Sequence, residues 1–410
     1  MKPILFVTDA NFLSHLLRSI EIAKAVRKKG YKVIFAAEGI YVDFIAKNGF
    51  EYLPVFTNDP VHTMKATRSG MFFYYNSARI KKSVESETEC IKKVDPEVIV
   101  GDFRWTLRIS AEYCKVPYVG IINAIWTPFY AEFRSISEKM LLRKIFGIRF
   151  MEKISPFGTR LMMRRRGKPF YRLRKKLGIT PIKNLNYEMY GDRNIMPDLP
   201  EFCPTKDLPN NFTYIGPLFV SDETLGTPVQ KDFPSTPYIY ATLGSTATPK
   251  MILTLFKALA EQPLPVVMTT GKQPLPASAP DNFILYDYLS GQQAYSNARA
   301  VICHGGQGTL YQSLYYGIPV IGIATHNDQQ WNLDRITVLQ LGKQFGEDSC
   351  TPKEISEALK EVMDNEVYRS NCLRMRNQIR QYAPAEIAAE EIISFARENT
   401  IYKTQEPAVR

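Results

Sequence analysis

Short apolar runs alternate with amphipathic stretches along about the first 120 residues, and this alternation constrains the fold more than any other feature. Residues 2–8 are apolar, residues 13–29 carry apolar side chains at helical spacing, and residues 31–37 are apolar again. A strand, a helix and a second strand in this order predict a βαβ unit with a parallel sheet. Because residues 97–101 and 118–122 repeat the strand pattern, we predict a doubly wound α/β domain with ligands at the carboxyl ends of its strands.

The same pattern begins again after a stretch rich in Pro, Ser, Thr and acidic residues at 221–237. Further strands are predicted beyond it, at 238–243, 266–270, 283–286, 300–303 and 319–323. We therefore predict two Rossmann-like doubly wound domains that face each other across a cleft. The predicted boundaries are an N-terminal domain at 1–218, a linker at 219–236, a second domain at 237–385, and a C-terminal helix and tail at 386–410 that can pack back on the N-terminal domain.

The net charge of +11 is concentrated in one region of the chain. Residues 134–176 hold fifteen Lys and Arg and two acidic residues, a local net charge of +13, so the rest carries about −2. One basic region in an otherwise balanced chain argues against a nucleic-acid partner. Two interpretations stay open: a solvated basic face above the acceptor, or a helix on an anionic membrane. Apolar residues recur within this region at helical spacing, at Ile136, Met140, Leu141, Ile145, Ile148 and Met151.

The six cysteines contain no C-x-x-C pair, and several lie in apolar runs. This distribution favours reduced core residues of an intracellular protein over a disulfide framework or a zinc site. The N-terminus has no pattern of a signal peptide, and no apolar run reaches about 18 residues. We therefore predict a cytoplasmic protein, with peripheral contact at the inner membrane face left open by the basic region.

A glycine-rich segment, His304-Gly305-Gly306-Gln307-Gly308-Thr309, lies between the predicted strand 300–303 and a predicted helix at 310–316. Glycines let the backbone approach a ligand, and the start of a helix offers unpaired N–H groups and a positive dipole end. An anionic diphosphate suits such a site, and His304 and Thr309 add hydrogen-bond donors for its oxygens. The structural alternative is a glycine-rich turn without a ligand.

Asp328 and Gln329 follow the predicted strand 319–323 and its loop. Adjacent carboxylate and amide groups supply the acceptors and donors that a polyhydroxylated sugar ring requires. The alternative is an Asp that caps a helix beside a solvated Gln. His326 lies close enough in sequence to touch the same ligand, but no role is assigned to it.

The segment from Tyr286 to Asn332 resembles the donor-binding signature of the UDP-glycosyltransferase family, which contains plant and bacterial natural-product and macrolide-type glycosyltransferases. The shared patterns are H-G-G-x-G-T at 304–309, G-x-P at 317–319 and D-Q-x-x-N at 328–332. The resemblance implies the GT-B fold and transfer of a sugar from a nucleoside diphosphate.

The resemblance also implies roles for individual residues of the donor site. The residues that would hold the diphosphate are His304, Gly305, Gly306, Gly308 and Thr309, and those that would hold the sugar hydroxyls are Asp328 and Gln329. The residues that would contact the nucleoside are Tyr288 under the base, Leu289 through its backbone, and Gln312 at the ribose, where the family has a glutamate. Gly244 and Ser245 resemble the donor loop of the family.

His15 follows the first predicted strand at the start of the next helix, where a side chain can reach a ligand at the carboxyl edge of the sheet. A sugar-acceptor hydroxyl needs a general base, and histidine titrates near neutral pH. Asp102, just past the strand 97–101, is the predicted partner of His15, with Asp9 as a competitor; a solvent-exposed histidine is the alternative. The family also has a histidine base paired with an aspartate, although Ser14 stands here in place of its usual glycine.

The predicted reaction is a direct, inverting and metal-independent displacement on the anomeric carbon, with no cofactor beyond the nucleotide-sugar co-substrate. The predicted donor is a UDP-sugar, with a dTDP-sugar as the alternative, and the acceptor is an apolar small molecule with a hydroxyl group. Three other functions stay open: transfer to a lipid or lipid-linked acceptor at a membrane surface, epimerisation of a sugar nucleotide, and non-catalytic binding of one.

Overall fold

The structure, a computed structural model, describes residues 2–59, 61, 75–135, 158, 160–225, 230, 232–244 and 248–405. The described residues divide into two compact units. The first unit is drawn from Met1–Glu132, Glu152–Val220 and Tyr382–Arg410, and the second from Phe133–Met151 and Ser221–Gln381.

The first unit contains a parallel sheet with helices packed on it. Its strands are β1 (Ile4–Asp9), β2 (Val33–Glu38), β3 (Glu51–Leu53), β4 (Val98–Asp102), β5 (Tyr118–Ile121), β6 (Arg193–Met196) and β7 (Phe212–Tyr214). They lie in the order β3-β2-β1-β4-β5-β6-β7. Its helices are α1 (Leu13–Lys28), α2 (Asp43–Lys47), α3 (Ser77–Val94), α4 (Leu107–Cys114) and α5 (Lys168–Leu177), with 3-10 turns at Ala124–Trp126 and Leu185–Met189.

The second unit repeats this plan. Its strands are β8 (Tyr238–Thr242), β9 (Val266–Thr269), β10 (Phe283–Tyr286), β11 (Ala298–Cys303), β12 (Val320–Ala324) and β13 (Gly342–Gly346), in the parallel order β10-β9-β8-β11-β12-β13. Its helices are α6 (Asp222–Leu225), α7 (Pro249–Leu259), α8 (Gly291–Ser296), α9 (Gln307–Tyr315), α10 (Asn327–Val338), α11 (Pro352–Asp364) and α12 (Glu366–Ile379). The predicted α/β class with two doubly wound sheets is confirmed.

The last helix, α13 (Pro384–Gln405), belongs to the first unit. It packs on α1, and ion pairs join Glu390 to Lys29 at 2.9 Å and Glu391 to Arg193 at 3.2 Å. No helix in the described part of the chain is both long and apolar enough to cross a membrane.

Local sequence explains how the elements of both units form. Helix α1 buries Leu16, Ile20 and Ala23, which recur at helical spacing and so form a continuous apolar stripe. Helix α11 begins with a capping box, in which Thr351 and Glu354 each satisfy a backbone N–H of the other. Central strands such as β1, β4 and β12 are buried almost throughout, as expected when helices cover both faces of a parallel sheet.

Each sheet has one point at which the direction of strand addition reverses. In the first unit β2 and β3 lie on one side of β1 and β4 lies on the other; β8 and β11 have the same relationship in the second unit. In open α/β sheets, ligands bind at the carboxyl ends of the strands that flank this reversal. The loops after β1, β4, β8 and β11 are therefore the expected positions of functional side chains.

Several parts of the chain differ from the prediction. Strands β6 and β13 were not predicted, because polar residues interrupt their apolar pattern. Strand β6 contains the buried Asn194, and the sequence of β13 is Gly-Lys-Gln-Phe-Gly. The predicted exposed linker contains α6, whose Thr224 is buried and whose Asp222 accepts a hydrogen bond from Gly291 N–H at 2.8 Å. Residues Phe133–Ser135, which the prediction assigned to the first domain, group with the second unit, where Trp331 donates to the Ser135 carbonyl.

Candidate functional site

His15 and Asp102 meet at the reversal point of the first sheet. Nδ1 of His15, in the first turn of α1, lies 2.8 Å from Oδ1 of Asp102, the last residue of β4. The carboxylate of Asp102 is fully buried, whereas the His15 side chain is 27% exposed. An ionised carboxylate only accepts hydrogen bonds, so this contact favours a proton on Nδ1 and leaves Nε2 unprotonated. Such an imidazole can act as a general base at Nε2.

Arg18 lies three residues after His15 on α1 and holds the same carboxylate. Its Nε and Nη2 donate hydrogen bonds to the two oxygens of Asp102, and Nη1 donates to Asn123 at 2.7 Å. Burial raises the pKa of Asp102, but the charges and hydrogen bonds of Arg18 and His15 outweigh it, leaving the pKa below its usual 3.8. Asp102 is therefore ionised at neutral pH.

Asp9, the competing partner of His15, has a different role. Its Oδ1 accepts a hydrogen bond from Asn11 N–H at 3.0 Å in the loop after β1. Burial raises the pKa of Asp9, while the charge of Arg104 opposes this shift. The structure thus brings His15 together with Asp102 and assigns Asp9 to the loop.

Aromatic rings surround the His15 imidazole. The ring of Phe103 stacks on it with centroids 5.6 Å apart, and the ring of Phe12 meets it edge-on at 5.9 Å. Trp105 and Trp126 in turn contact Phe103 edge-on. Phe103 has φ of 49°, a left-handed conformation that costs an aromatic residue free energy and is most often kept at functional sites. The base candidate therefore lies beside an aromatic wall.

The aromatic residues between positions 105 and 130 are only partly found in this wall. Trp105 is buried and Trp126 is half-buried beside Phe103, whereas Tyr130 is buried and Phe129 packs against Phe212. Phe103 was not predicted as a site residue, because a strained backbone cannot be recognised from residue types.

His304 lies at the reversal point of the second sheet, directly after β11. Its ring is enclosed by backbone, because a Cβ built on Gly244 would lie 2.8 Å from its Cε1 and one on Gly306 would lie 2.5 Å from its Nε2. Burial, with the neighbouring charge of His326, lowers the pKa of His304 to about 4, so the imidazole is neutral at pH 7. Its Nδ1 is buried without a hydrogen-bond partner among the described residues. A buried polar atom of this kind indicates a ligand or a water molecule.

The glycines of the turn at 304–309 have different physical roles. Gly305 has φ of 85° and a Cβ there would strike Leu333, while Gly306 makes room for the His304 ring. Gly308 is exposed, with no atom within 4 Å of a built Cβ. Only Gly308 therefore leaves space for a ligand, whereas the prediction attributed close ligand approach to all three glycines.

Helix α9 begins in this turn with Gly306 as its N-cap. The N–H groups of Gly308 and Thr309, in the first helical turn, have no acceptor within the helix by its geometry. These groups and the positive end of the helix dipole favour an anion beside Gly308.

Asp328 and His326 form an ion pair at the start of α10. Nε2 of His326 lies 3.0 Å from Oδ1 of Asp328, whose side chain is 34% exposed. Burial raises the pKa of Asp328, but His326 and the N–H groups of Asp328 and Gln329 outweigh it, so the pKa lies below its usual value. An ionised Asp328 can accept hydrogen bonds from sugar hydroxyls. The sequence placed His326 nearby without a role, and the structure pairs it with Asp328.

Gln329 differs from its predicted role. Its side chain is buried, and its Oε1 accepts hydrogen bonds from the N–H and the hydroxyl of Thr325, both at 2.9 Å. The amide therefore fixes the loop between β12 and α10. A direct contact between Gln329 Oε1 and a sugar hydroxyl does not fit this arrangement.

The predicted nucleoside residues lie after β10 and on α9. Tyr288 is 52% exposed, so one face of its ring is open for stacking, and Leu289 is buried. A Cβ built on Gly291 would lie 2.8 Å from Nε2 of Gln312 and 3.9 Å from Oδ1 of Asp222. The Gln312 amide and the Asp222 carboxylate therefore flank one glycine. Asp222 was missed because it falls in the predicted linker.

Comparisons with known proteins find glycosyltransferases. A family model described as "Erythromycin biosynthesis protein CIII-like, C-terminal domain" matches residues 254–393. The chain is 28% identical over 384 residues to the PGL/p-HBAD biosynthesis rhamnosyltransferase of Mycobacterium bovis (strain BCG / Pasteur 1173P2), covering 91% of this chain and 83% of that protein. The solved structure of spinosyn forosaminyltransferase SpnP aligns with a TM-score of 0.69 at 16% identity, covering 98% and 99% of the two chains.

The chain is a glycosyltransferase of the GT-B fold. A second solved structure, glycosyltransferase VinC in complex with DTDP, aligns with a TM-score of 0.70 at 16% identity and covers 97% and 100% of the two chains. The predicted resemblance to natural-product glycosyltransferases is confirmed.

Two predicted features of this glycosyltransferase lie partly or wholly outside the described residues. Ser245 of the donor loop is one; its neighbour Gly244 is described, and a Cβ built on it would lie 2.8 Å from Cε1 of His304. The apolar helical pattern at 136–151 is the other. Within the described ranges, no group of three or more His, Cys, Asp or Glu side chains is arranged to hold a metal ion.

Proposed function

We propose that this glycosyltransferase moves a sugar from a nucleoside diphosphate to a hydroxyl of an apolar acceptor in one inverting displacement. Nε2 of His15 takes the proton of the acceptor hydroxyl, the acceptor oxygen attacks the anomeric carbon, and the diphosphate leaves. The observation that carries this proposal is the contact between His15 and the buried Asp102. Asp102 orients the imidazole and stabilises its charge once the proton has moved, the division of labour found in hydrolase triads.

The proposed diphosphate site is the start of α9. First-turn N–H groups beside the open Gly308 and the unpartnered Nδ1 of His304 offer donors to a group that gains negative charge as it leaves. A neutral histidine donates a hydrogen bond without adding a charge to the buried site. These donors support departure of the diphosphate without a metal ion.

The sugar and the nucleoside are proposed on the second unit. Asp328 would accept hydrogen bonds from the sugar hydroxyls, with His326 fixing the carboxylate, and Tyr288 would stack on the base. Uracil and thymine both suit an aromatic platform, because stacking tolerates either base. A UDP-sugar remains the proposed donor; the complex of VinC with DTDP makes a dTDP-sugar the alternative.

The aromatic wall around His15 supports an acceptor with a substantial apolar surface. Phe103 and Trp126 are half-buried beside the imidazole, so part of each ring is available for contact. The PGL/p-HBAD biosynthesis rhamnosyltransferase supplies rhamnose as a candidate sugar for testing.

A thermal-shift screen with UDP, dTDP, ADP and GDP tests the donor part of the proposal. A ligand at a hundred times its dissociation constant should stabilise the protein by about 2.7 kcal/mol, so UDP or dTDP should raise the melting temperature and the purine nucleotides should not. Sugar transfer is then measured for the wild type and for His15→Ala.

The His15→Ala variant should keep the thermal shift with the nucleotide and lose about a hundredfold or more in transfer rate. Asp102→Asn serves as a second variant that keeps shape but removes the charge. If His15→Ala transferred sugar at the wild-type rate, the base would have to be another group.

A further inference from the structure

A stretch of the chain from 153 to 187 contains eleven Lys and Arg and no acidic residue. Its described part includes a helical segment at 160–166 and helix α5. Inward-facing positions of this part are buried, among them Phe170 and Arg174. The two helical segments are thus amphipathic, with a strongly basic exposed face. The proposed transfer reaction does not use this face.

Arg174 differs from the other cations of this stretch, because it is buried and stabilises the fold. Its guanidinium is fully buried, bonds Glu188 at 2.7 Å and also pairs with Glu112. Both carboxylates lie outside the α5 sequence and compensate this charge.

Seven exposed cations make up the outward face, which we call the basic face. They are Arg160, Arg164, Arg165, Lys168, Arg172, Lys175 and Lys176. Among the residues that the structure describes, none of the seven forms an ion pair with a carboxylate. Their repulsion is therefore relieved only by solvent, counter-ions or an anionic partner.

Exposed apolar side chains accompany these charges. Leu161 is 43% exposed and Met162 is 37% exposed, and both lie in the same helical segment as Arg164 and Arg165. A bilayer interface binds aliphatic side chains that lie next to cations. The aliphatic side chains enter the boundary of the acyl chains, and the cations contact the headgroups. A nucleic acid would instead favour aromatic side chains that stack on bases.

We propose that the basic face docks this glycosyltransferase on an anionic lipid bilayer. The cations bind the negatively charged headgroups, and Leu161 and Met162 insert below them. Docking of this kind gives an enzyme access to an apolar acceptor that is dissolved in the membrane. The inference does not depend on the identity of the donor, because it concerns a surface of the first unit that the donor site does not include.

Vesicle co-sedimentation with the full chain tests this proposal. Phosphatidylcholine vesicles are compared with vesicles that contain about one third phosphatidylglycerol, at low and at raised salt. The wild type should sediment with the anionic vesicles only, and raised salt should weaken the binding. Equal binding to neutral vesicles, or no binding to either kind, would overturn the proposal.

Matched variants separate a specific face from net charge. The triple variant Arg164→Gln, Arg165→Gln, Lys168→Gln should lower the vesicle partition coefficient by about tenfold or more. The control triple variant Lys257→Gln, Lys353→Gln, Lys360→Gln removes the same charge from exposed sites on the second unit and should bind like the wild type. An equal loss in both variants would mean that only net charge matters and would contradict the proposal.

A second variant tests the apolar contribution. Leu161→Ser with Met162→Ser should lower vesicle binding severalfold while leaving binding to a heparin column unchanged, because heparin offers charge without an apolar interior. If the double variant bound vesicles like the wild type, or lost heparin binding to the same extent, insertion at a bilayer would be wrong. Unchanged melting temperatures and unchanged donor thermal shifts in all variants establish that they fold.

Discussion

The guanidinium of Arg18 donates hydrogen bonds to both carboxylate oxygens of Asp102, the residue that also contacts His15. One buried carboxylate is thus shared between a fixed cation and the candidate base. Arg18 limits the positions that the carboxylate can adopt, and Asp102 limits those of the imidazole. Arg18 is therefore a positioning residue that acts on the base through Asp102 and through its own Nη2, which lies 3.1 Å from Nδ1 of His15.

Substitution of Arg18 should lower turnover more than donor binding. Arg18→Met leaves the buried Asp102 carboxylate with His15 as its remaining hydrogen-bond partner, so we expect kcat to fall by about a hundredfold and the free energy of unfolding by about 3–5 kcal/mol. Arg18→Lys keeps the charge but not the two-pronged geometry and should recover part of both losses. Steady-state kinetics and urea unfolding measure these effects.

The ratio between kcat and KM distinguishes this role from a purely structural one. The KM for the nucleotide-sugar should stay within about twofold in both variants, because Arg18 lies in the first unit and the proposed donor residues lie in the second. A raised donor KM with unchanged kcat would place Arg18 in the binding of the donor instead.

The parts of the site that could be predicted are those fixed by the order of strands. His15, Asp102, Gly244 and His304 follow the strands that flank the reversal points, so an alternating pattern of strands and helices is enough to bring them to the carboxyl edges. The same pattern yields most central strands, because they are continuous apolar runs.

Features that depend on side-chain packing were not accessible in this way. Arg18 looks like an ordinary polar position in a helix, and the φ of Phe103 has no counterpart in residue type. Gln329 fits a sugar ligand by chemistry, yet the nearby Thr325 captures its oxygen. Strand β13 is polar in sequence and becomes a strand because it pairs with β12 along its length.

The position of Asp222 explains why residue 312 is a glutamine here, whereas the family has a glutamate. Because the Gln312 amide and the Asp222 carboxylate flank Gly291, a second carboxylate at 312 would face the first. We expect Gln312→Glu to weaken binding of the nucleoside diphosphate severalfold by this repulsion, and Gln312→Glu with Asp222→Asn to restore it. Calorimetric dissociation constants for UDP and dTDP measure the effect.

A double-mutant cycle quantifies the contact between these two positions. The coupling energy should be about 0.5–3 kcal/mol, the range for residues that interact directly. Asp222→Asn alone controls for the loss of the hydrogen bond to Gly291. Additive effects of the two substitutions would show that the side chains at 222 and 312 act independently.

The lowered pKa of His304 predicts a pH dependence of stability. Its pKa is about 4 in the folded protein and near 6.5 when unfolded, so between these values the unfolded chain binds the proton more strongly. The free energy of unfolding should therefore fall as the pH decreases from about 6.5 to about 4. His304→Asn removes this titration and should lose less stability over the same interval, by on the order of 1 kcal/mol.

Urea unfolding of the wild type and of His304→Asn at pH 7.5, above the window, and at pH 5, within it, measures this difference. If the free energy of unfolding fell equally with pH in the wild type and in His304→Asn, protonation of the His304 imidazole would not destabilise the folded protein, and the prediction would be wrong.

Two glycines of the turn should respond to alanine in opposite ways. A Cβ at Gly306 would lie 2.5 Å from Nε2 of His304, whereas one at Gly308 meets nothing within 4 Å in the free protein. Gly306→Ala should therefore lower the melting temperature without any ligand, because the His304 ring must move. Gly308→Ala should leave it unchanged or raise it slightly, since alanine favours a helix over glycine by about 1 kcal/mol.

The Gly308→Ala variant should be stable without ligand but should respond weakly to a nucleoside diphosphate. If the diphosphate lies against the first-turn N–H groups of α9, the new methyl group occupies its space, and the thermal shift with UDP or dTDP should largely disappear although the free protein is fully stable. Gly271→Ala is not a suitable control, because Gly271 has φ of 61° and any side chain there would be strained. The control is Ser356→Ala, on helix α11 of the second unit. A full thermal shift in Gly308→Ala would mean that the diphosphate binds elsewhere, and the start of α9 would then be a glycine-rich turn that exists for packing alone.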